Sequence, residues 1–492
     1  MDAPIYAQPL WIAQIAISGG THNVVFVATV HDTVYAFDAD ANPCAQLWMA
    51  SLVDTAHGAA SATETWVTSM DTSCTDISPD IGIVGTPVID PNTQTLYIVS
   101  KSKDSSSNTF YQRIHALDLA TGNEKFSGPT TISATVPGTG SGSSGGYVSF
   151  DALLNNQRSA LLLTNGHVIV DWASHCDNGA YHGWVMSFNA SSLVKEAVFN
   201  PSPNGIDSGI WMAGNGPTSD ASGNIYLATG NGTFDVNSTS APNNDYGDSI
   251  LKLGPPSGGT FPVLSYFRSY TKLTPYAFDE DQGSGGVLLL PTVGSHNYLV
   301  QAGKDGNLYL ADQVNLGGYS ASSNNVVQWR FDAFPEGVFS SPTYWNGNVY
   351  YGAVDVQIRA FPFDAAITGM LSMSPASASP DSFTFPGPTS PVSANETSNG
   401  ILWALDNAQY CTEGSPNNSC EPTVLHAYDA TNLATEFWNS SQNATDAAGN
   451  AVKFTVPMVV NGKVYVGTRG NDMGAGGTSV PGELDVYGLK PD

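Results

Sequence analysis

One phrase recurs eight times: NVVFVATV (23–30), QTLYIVSK (94–101), NGHVIVDW (165–172), GNIYLATG (223–230), HNYLVQAG (296–303), NGNVYYGA (346–353), NGILWALD (399–406) and NGKVYVGT (461–468). In each, β-branched or aromatic residues alternate with small ones, which marks a strand. The Asn-Gly or Gly-Asn pairs mark hairpin turns. After most runs comes a second strand ending in an acidic turn, as in VYAFDADANPCAQLW, IHALDLATGNEKF and LHAYDATNLATEFW. The Asp opens the turn, where its carboxylate can accept backbone N–H bonds. The closing aromatic can dock onto the neighbouring unit. Helical periodicity is nearly absent. Eight repeats of short antiparallel strands predict an all-β fold, an eight-bladed β-propeller of four-stranded antiparallel blades. Each recurrent run is expected to be the inner strand of its blade. A pair of β-sandwiches would explain neither the count nor the aromatics.

Blades continue on both sides of the two irregular stretches, near 128–147 and 372–400, so residues 1–492 are expected to form a single propeller domain. Both stretches are rich in Gly, Ser, Thr and Pro and read as long surface loops. The chain carries 43 acidic and 16 basic residues, a net charge of −27. Such a surface repels phosphate backbones and argues against a nucleic-acid partner. It suits a cation or a neutral substrate. No apolar run approaches the ~20 residues of a membrane span. MDAPIYAQPLW shows no signal peptide, so the chain reads as a mature or trimmed form.

The five cysteines argue for a secreted or periplasmic protein. Cys411 and Cys420 flank the polar stretch TEGSPNNS and are expected to pair. Cys44 and Cys74 form a possible second pair, which leaves Cys176 as a free thiol. Sequons at Asn189, Asn231, Asn237, Asn395, Asn417, Asn439 and Asn443 fit an exposed surface.

The blade phrases resemble the pyrroloquinoline-quinone (PQQ) propeller family. Its docking signature is similar to HALDLATGNEKF (115–126), with Phe126 in the Trp place. The resemblance covers essentially the whole chain and speaks for fold more than for activity, because the same propeller also serves as an assembly scaffold. It implies a set of site residues. ATGNGTFD (228–235) resembles the blade-four motif whose Asn binds Ca²⁺, placing Asn231 there, although Phe234 and Asp235 replace a Pro-Trp pair. Trp211 in SGIWMAGNG is placed like the floor under the quinone. YAFDEDQGSGG (276–286) looks like the segment supplying the catalytic base, Asp279 or Asp281, with Asp281 also within the metal set. GKDGNLYLAD (303–312) puts Lys304 where the family's lysine contacts the quinone carbonyls.

The stretch HCDNGAYHGW (175–184) concentrates scarce residue types. In the resemblance it caps the strand of blade three, with Asp177 near the family's Ca²⁺-ligand Glu and His182 at its Arg. The implied activity is a PQQ- and Ca²⁺-dependent alcohol or sugar dehydrogenase. Asp177 and Asn231 would bind the ion, Lys304 would stabilise charge on the quinone oxygen, and Asp281 would take the alcohol proton. The chain departs from the family in having no adjacent cysteine pair and no Cys-x-x-Cys-His haem motif. Two alternatives stand beside this reading. One is a non-catalytic propeller binding a polysaccharide or another protein. The other is a hydrolase, lyase or metal enzyme using His175, Cys176 and His182, since imidazole and thiolate suit Zn or Cu. A monomer is expected.

Overall fold

The computed structural model describes residues 1–212, 214–240, 242–272, 279–411, 420–470 and 480–488. Its strands build eight blades in chain order, the expected eight-bladed β-propeller. Blade 1 is Leu10–Ile17, Gly20–Ala28, Thr33–Asp38 and Ala45–Ser51, each strand antiparallel to the next. This up-and-down order repeats around the ring. Blade 8 has three strands among the described residues, Met458–Val460, Lys463–Arg469 and Gly482–Gly488. The chain start lies along it: the Met1 amino group donates to Gly482 O at 2.9 Å, and Ile5 N–H donates to Thr468 O at 3.4 Å. The ring therefore closes by main-chain bonds between its two ends. Among the described residues no helix is long and apolar enough to cross a membrane.

The eight recurrent runs are the second strand of each blade, not the inner edge strand. They include Thr95–Asp104, His167–Ser174, Ile225–Ala228, Tyr298–Ala302 and Asn348–Tyr351. Short strands precede them, for example Leu162–Thr164, Thr218–Ser219 and Thr343–Trp345. Strands of two or three residues are too short to leave an alternation in sequence, so the longer partner carried the visible signal. This order places the chemistry. The first strand runs one way and the second returns, so the residues just before the first and just after the second share one end of every blade.

The core lies between neighbouring sheets. One cluster joins Val185 and Phe199 of blade 3, Leu227 and Leu251 of blade 4, and Leu299 and Tyr309 of blade 5. The acidic turns and aromatics dock as expected. Asp118 Oδ1 accepts from Ala120 N–H at 3.1 Å, and Trp48 of blade 1 donates from Nε1 to Leu119 O at 2.9 Å. Gly122 lies beneath that indole at φ +73°, and a Cβ there would come within 2.8 Å of Trp48 Cε3. The Thr-Gly of the signature is therefore a landing place for the preceding blade. Phe126, in the Trp place, packs against the blade 2–blade 3 cluster that contains Ala190 and Leu193.

Two expectations are corrected. The stretch 372–400 is not a loop throughout, because it contains the outer strand Ser377–Phe383 of blade 6 and the first strand Val392–Asn395 of blade 7. An outer-edge strand tolerates Pro380, since one side of it needs no ladder bonds. The stretch near 128–147 likewise holds the edge strand Thr130–Thr131 and one arm of the hairpin Thr135–Pro137/Tyr147–Ser149. The cysteines pair differently too. Cys411–Cys420 forms as expected, but Cys74 bonds Cys176, with Cα atoms 5.6 Å apart, and Cys44 is the free thiol. Cys74 and Cys176 stand 102 positions apart in sequence, and only adjacent blades bring them together. The sequon at Asn417 lies outside the described residues.

Candidate active site

A cavity of about 350 Å³ opens at that shared end of the blades. Its centre is built by blades 4 and 5. Asp279 and Asp281 precede the first strand of blade 5, Val287–Leu289, and Lys304 follows its second, Tyr298–Ala302. Lys304 Nζ donates to Asp281 Oδ2 at 2.5 Å and to Asp279 Oδ1 at 2.8 Å. Asn231, just past the second strand of blade 4, donates from its backbone N–H to Asp281 Oδ1 at 2.6 Å and from Nδ2 to Asp279 Oδ1 at 2.9 Å. Gly230 permits this approach: a Cβ there would lie 2.3 Å from Asp281 Oδ1 and 3.2 Å from Trp211 Cδ1. Of YAFDEDQGSGG, residues 276–278 lie outside the described residues.

The two carboxylates are driven apart. Burial raises the Asp281 carboxyl to about 7; Lys304 opposes that shift, and the charges of Asp279 and Asp248 add to it. Burial works against the Asp279 carboxylate, yet Lys304, by hydrogen bond and charge, with hydrogen bonds from Asp281 and Asn231, holds it below its ordinary range. Burial works against the Lys304 ammonium, yet Asp281 and Asp279 raise it above a free lysine. Such a divergence separates a group able to take a proton near neutrality from one that stays charged. Two buried polar atoms here have no hydrogen-bond partner, Asn231 Oδ1 and Trp211 Nε1.

The HCDNG turn of blade 3 forms a second wall, with His175, Cys176 and Asp177. Asp177 Oδ1 accepts from Ser174 Oγ at 2.9 Å. Burial raises the Tyr181 hydroxyl, and the charges of Asp177, Asp207 and Asp281 raise it further, so one phenol feels both walls. Lys101, from the second strand of blade 2, reaches behind the turn and donates from Nζ to His175 Nε2 at 2.7 Å. Burial lowers Lys101 to about 7 against the pull of Asp151 and Asp32. The structure therefore brings Asp177, Trp211, Asp279, Asp281 and Lys304 to one cavity, with Asn231 bonded to both blade-5 carboxylates. It does not bring in His182, which contacts Ser202 Oγ at 3.2 Å through Nδ1 and Ser141 O at 2.8 Å through Nε2. Nor do His175, Cys176 and His182 form a metal cluster, because Cys176 is in a disulfide and His182 faces other partners.

A third wall has no sequence motif. Arg158 and Lys453 enter from blades 3 and 8 among Phe339, Phe385, Tyr410 and Phe454. The Arg158 guanidinium lies 5.0 Å from the Phe454 ring centroid, and Lys453 Nζ lies 5.1 Å from that of Tyr410. Arg158 is 7% exposed, and its Nη2 has no hydrogen-bond partner. Burial lowers it to about 10, with Tyr6 opposing. Lys453 Nζ pairs with Asp76 Oδ1 at 3.3 Å. The one signal in sequence was scarcity: three of only 16 basic residues, Arg158, Lys304 and Lys453, meet in this cavity of a strongly acidic chain.

Away from the cavity, Asp381, His426 and Glu436 cluster at the blade 6–7 junction. There His426 Nδ1 bonds Glu436 Oε1 at 2.7 Å, and blade 2 repeats the arrangement with His115 and Glu124 at 2.6 Å. That recurrence marks a pairing of the fold.

No family model matches the sequence, and no curated protein does. Solved structures do resemble it. The quinohemoprotein alcohol dehydrogenase of Comamonas testosteroni superposes with a TM-score of 0.54 at 14% identity, covering 100% of this chain and 76% of that one. The quinohemoprotein alcohol dehydrogenase ADHIIG of Pseudomonas putida gives 0.50 at 13%, covering 97% and 73%. BamB of Moraxella catarrhalis gives 0.50 at 12%, covering 94% and 96%. At these identities the likeness establishes a shared propeller fold, one that carries dehydrogenases and a BamB protein alike.

Proposed function

We propose that the cavity binds a planar, anionic quinone of the PQQ type together with Ca²⁺, and that the protein is an exported dehydrogenase of alcohols or sugars. The observation that carries this reading is the meeting of Trp211, Asn231, Asp281 and Lys304 from two neighbouring blades, in the arrangement the sequence motifs imply. The donor set suits both groups. Asn231 Oδ1 is buried without a partner, and with the Asp281 and Asp177 carboxylates it supplies oxygen donors of the kind Ca²⁺ takes. Arg158 and Lys453, ringed by aromatic side chains, would hold the carboxylates of a flat anion.

When bound, the quinone supplies the electron sink for alcohol oxidation. The protein's own groups would do the rest. Asp281 would accept the hydroxyl proton, since burial places its carboxyl near 7. Lys304 would hold negative charge developing on a nearby oxygen. Trp211 would offer a flat wall, and the aromatic side chains would exclude water. The two disulfides are consistent with export.

Reconstitution tests the reading. Purified protein is titrated with PQQ in Ca²⁺, followed by absorbance and tryptophan fluorescence, and then assayed for dye reduction on a panel of alcohols and sugars. Saturable binding with dye reduction on at least one substrate is expected. Absence of any PQQ binding would overturn the cofactor reading and leave a propeller that binds a polysaccharide or, as its likeness in fold to BamB allows, a protein.

A further inference from the structure

The pairing of Lys101 with His175 has no counterpart in the motifs that led to the cavity. Lys101 is 4% exposed and His175 is 3% exposed, yet the imidazole lines the cavity. Three acceptors surround Lys101 Nζ: Leu153 O at 2.8 Å, Asn155 O at 3.0 Å and His175 Nε2 at 2.7 Å. Below about 7 Lys101 is an ammonium, with three N–H donors and no acceptor, so these partners use all of its hydrogens. An imidazole nitrogen that accepts a hydrogen bond carries no proton, so in neutral His175 the proton is on Nδ1. Among the described residues the Nδ1 atom has no hydrogen-bond partner, and it is not one of the buried orphan atoms.

We infer that Lys101 is a positioning residue that locks His175 as the Nδ1–H tautomer, presenting a fixed hydrogen-bond donor to an oxygen of the cavity's ligand. Lys101 never reaches the cavity itself; it acts through the ring. The main-chain carbonyls of Leu153 and Asn155 hold the ammonium in place, and its backbone N–H is tied to Asp32 Oδ1 at 3.1 Å, so the donor cannot swing away. A donor fixed before the ligand arrives needs no reorganisation on binding, the general advantage of a preorganised site. Only the identity of the ligand rests on the quinone reading.

The test is imidazole ¹⁵N NMR on the full chain at pH 6, with the His175 signals assigned by their loss in His175→Gln. The expected spectrum shows a protonated Nδ1 and a bare Nε2. In Lys101→Met the ring should lose that preference and populate the Nε2–H form, whereas Lys101→Arg, which keeps a donor, should retain it. An Nε2–H tautomer in the wild type overturns the inference, and so does an Nδ1–H tautomer that persists in Lys101→Met. Thermal melts confirm that the variants compared are folded. Adding PQQ and Ca²⁺ should then shift the His175 Nδ1 resonance. If fluorescence shows PQQ bound and that resonance does not move, the donor role is wrong. If PQQ does not bind at all, it is the cofactor reading that fails, and the tautomer arm is decided by the ligand-free spectra.

Discussion

Asp281→Asn is expected to lower turnover of the PQQ- and Ca²⁺-loaded protein by about 10²–10⁴-fold, the usual worth of a positioned general base. The substitution keeps the shape and one oxygen acceptor for the Asn231 N–H that now bonds Asp281 Oδ1 at 2.6 Å. PQQ affinity at saturating Ca²⁺ should therefore change much less than turnover, while Ca²⁺ affinity should fall, because Asp281 is one of the proposed ligands. The pH profile supplies a second readout. Burial raises the Asp281 carboxyl to about 7 in the metal-free protein, and once protonated it cannot accept a proton. Bound Ca²⁺ favours the carboxylate, so turnover of the loaded protein should rise with pH along a limb below that value and level off above it. The limb belongs to the Asp279–Asp281–Lys304 group as a unit, because all three share hydrogen bonds. The Asn variant should lose the limb along with the rate. An active Asn variant with an unchanged profile would remove Asp281 from the chemistry. Lys304→Ala is the complementary experiment: its charge matters most as an oxygen becomes anionic, so it should reduce kcat more than cofactor affinity.

What was legible in the sequence follows the length of the elements. Second strands of four to ten residues alternate visibly and were found eight times; the short first strands, such as Thr218–Ser219, left no pattern. That omission mislabelled the order of strands within a blade but not the number of blades. The candidate site was legible where a glycine or an acidic turn had to sit beside it. Gly230 is needed for Asn231 to reach Asp281, and Asp-Gly follows Lys304 directly. Arg158 and Lys453 were invisible because nothing local requires them. They stand in ordinary stretches, NNQRSA and NAVKFTV, and meet only when blades 3 and 8 face each other across the cavity. His182 was misassigned for the converse reason. The motif gave it a position in sequence, but hydrogen bonds to Ser202 and Ser141 turn its ring away from the cavity. Cys176 shows the same limit, since no spacing rule pairs residues 102 positions apart.

That pairing leads to the largest expected effect on stability. Cys74→Ser with Cys176→Ser opens a cross-link of sequence separation 102, whereas Cys411→Ser with Cys420→Ser opens one of separation 9. In the chain-entropy account a loop of that first size is worth about 4.7 kcal/mol, and one of about ten residues roughly 2.7 kcal/mol. A chain of 492 residues has an unfolding entropy of about 1 kcal/mol/K, so the two losses correspond to falls in Tm of roughly 4–5 °C and 2–3 °C. The order is the informative part: the blade 2–blade 3 link should matter more. It should also matter for the site, because Cys176 lies between His175 and Asp177 in the turn that lines the cavity. Removing the link should weaken PQQ binding, while removing the Cys411–Cys420 link should leave it nearly unchanged. Thiol labelling of the unfolded, unreduced wild type should modify one residue, Cys44. Labelling at Cys74 or Cys176 there, or equal melting of the two double variants, would show that the ring is not stapled between blades 2 and 3.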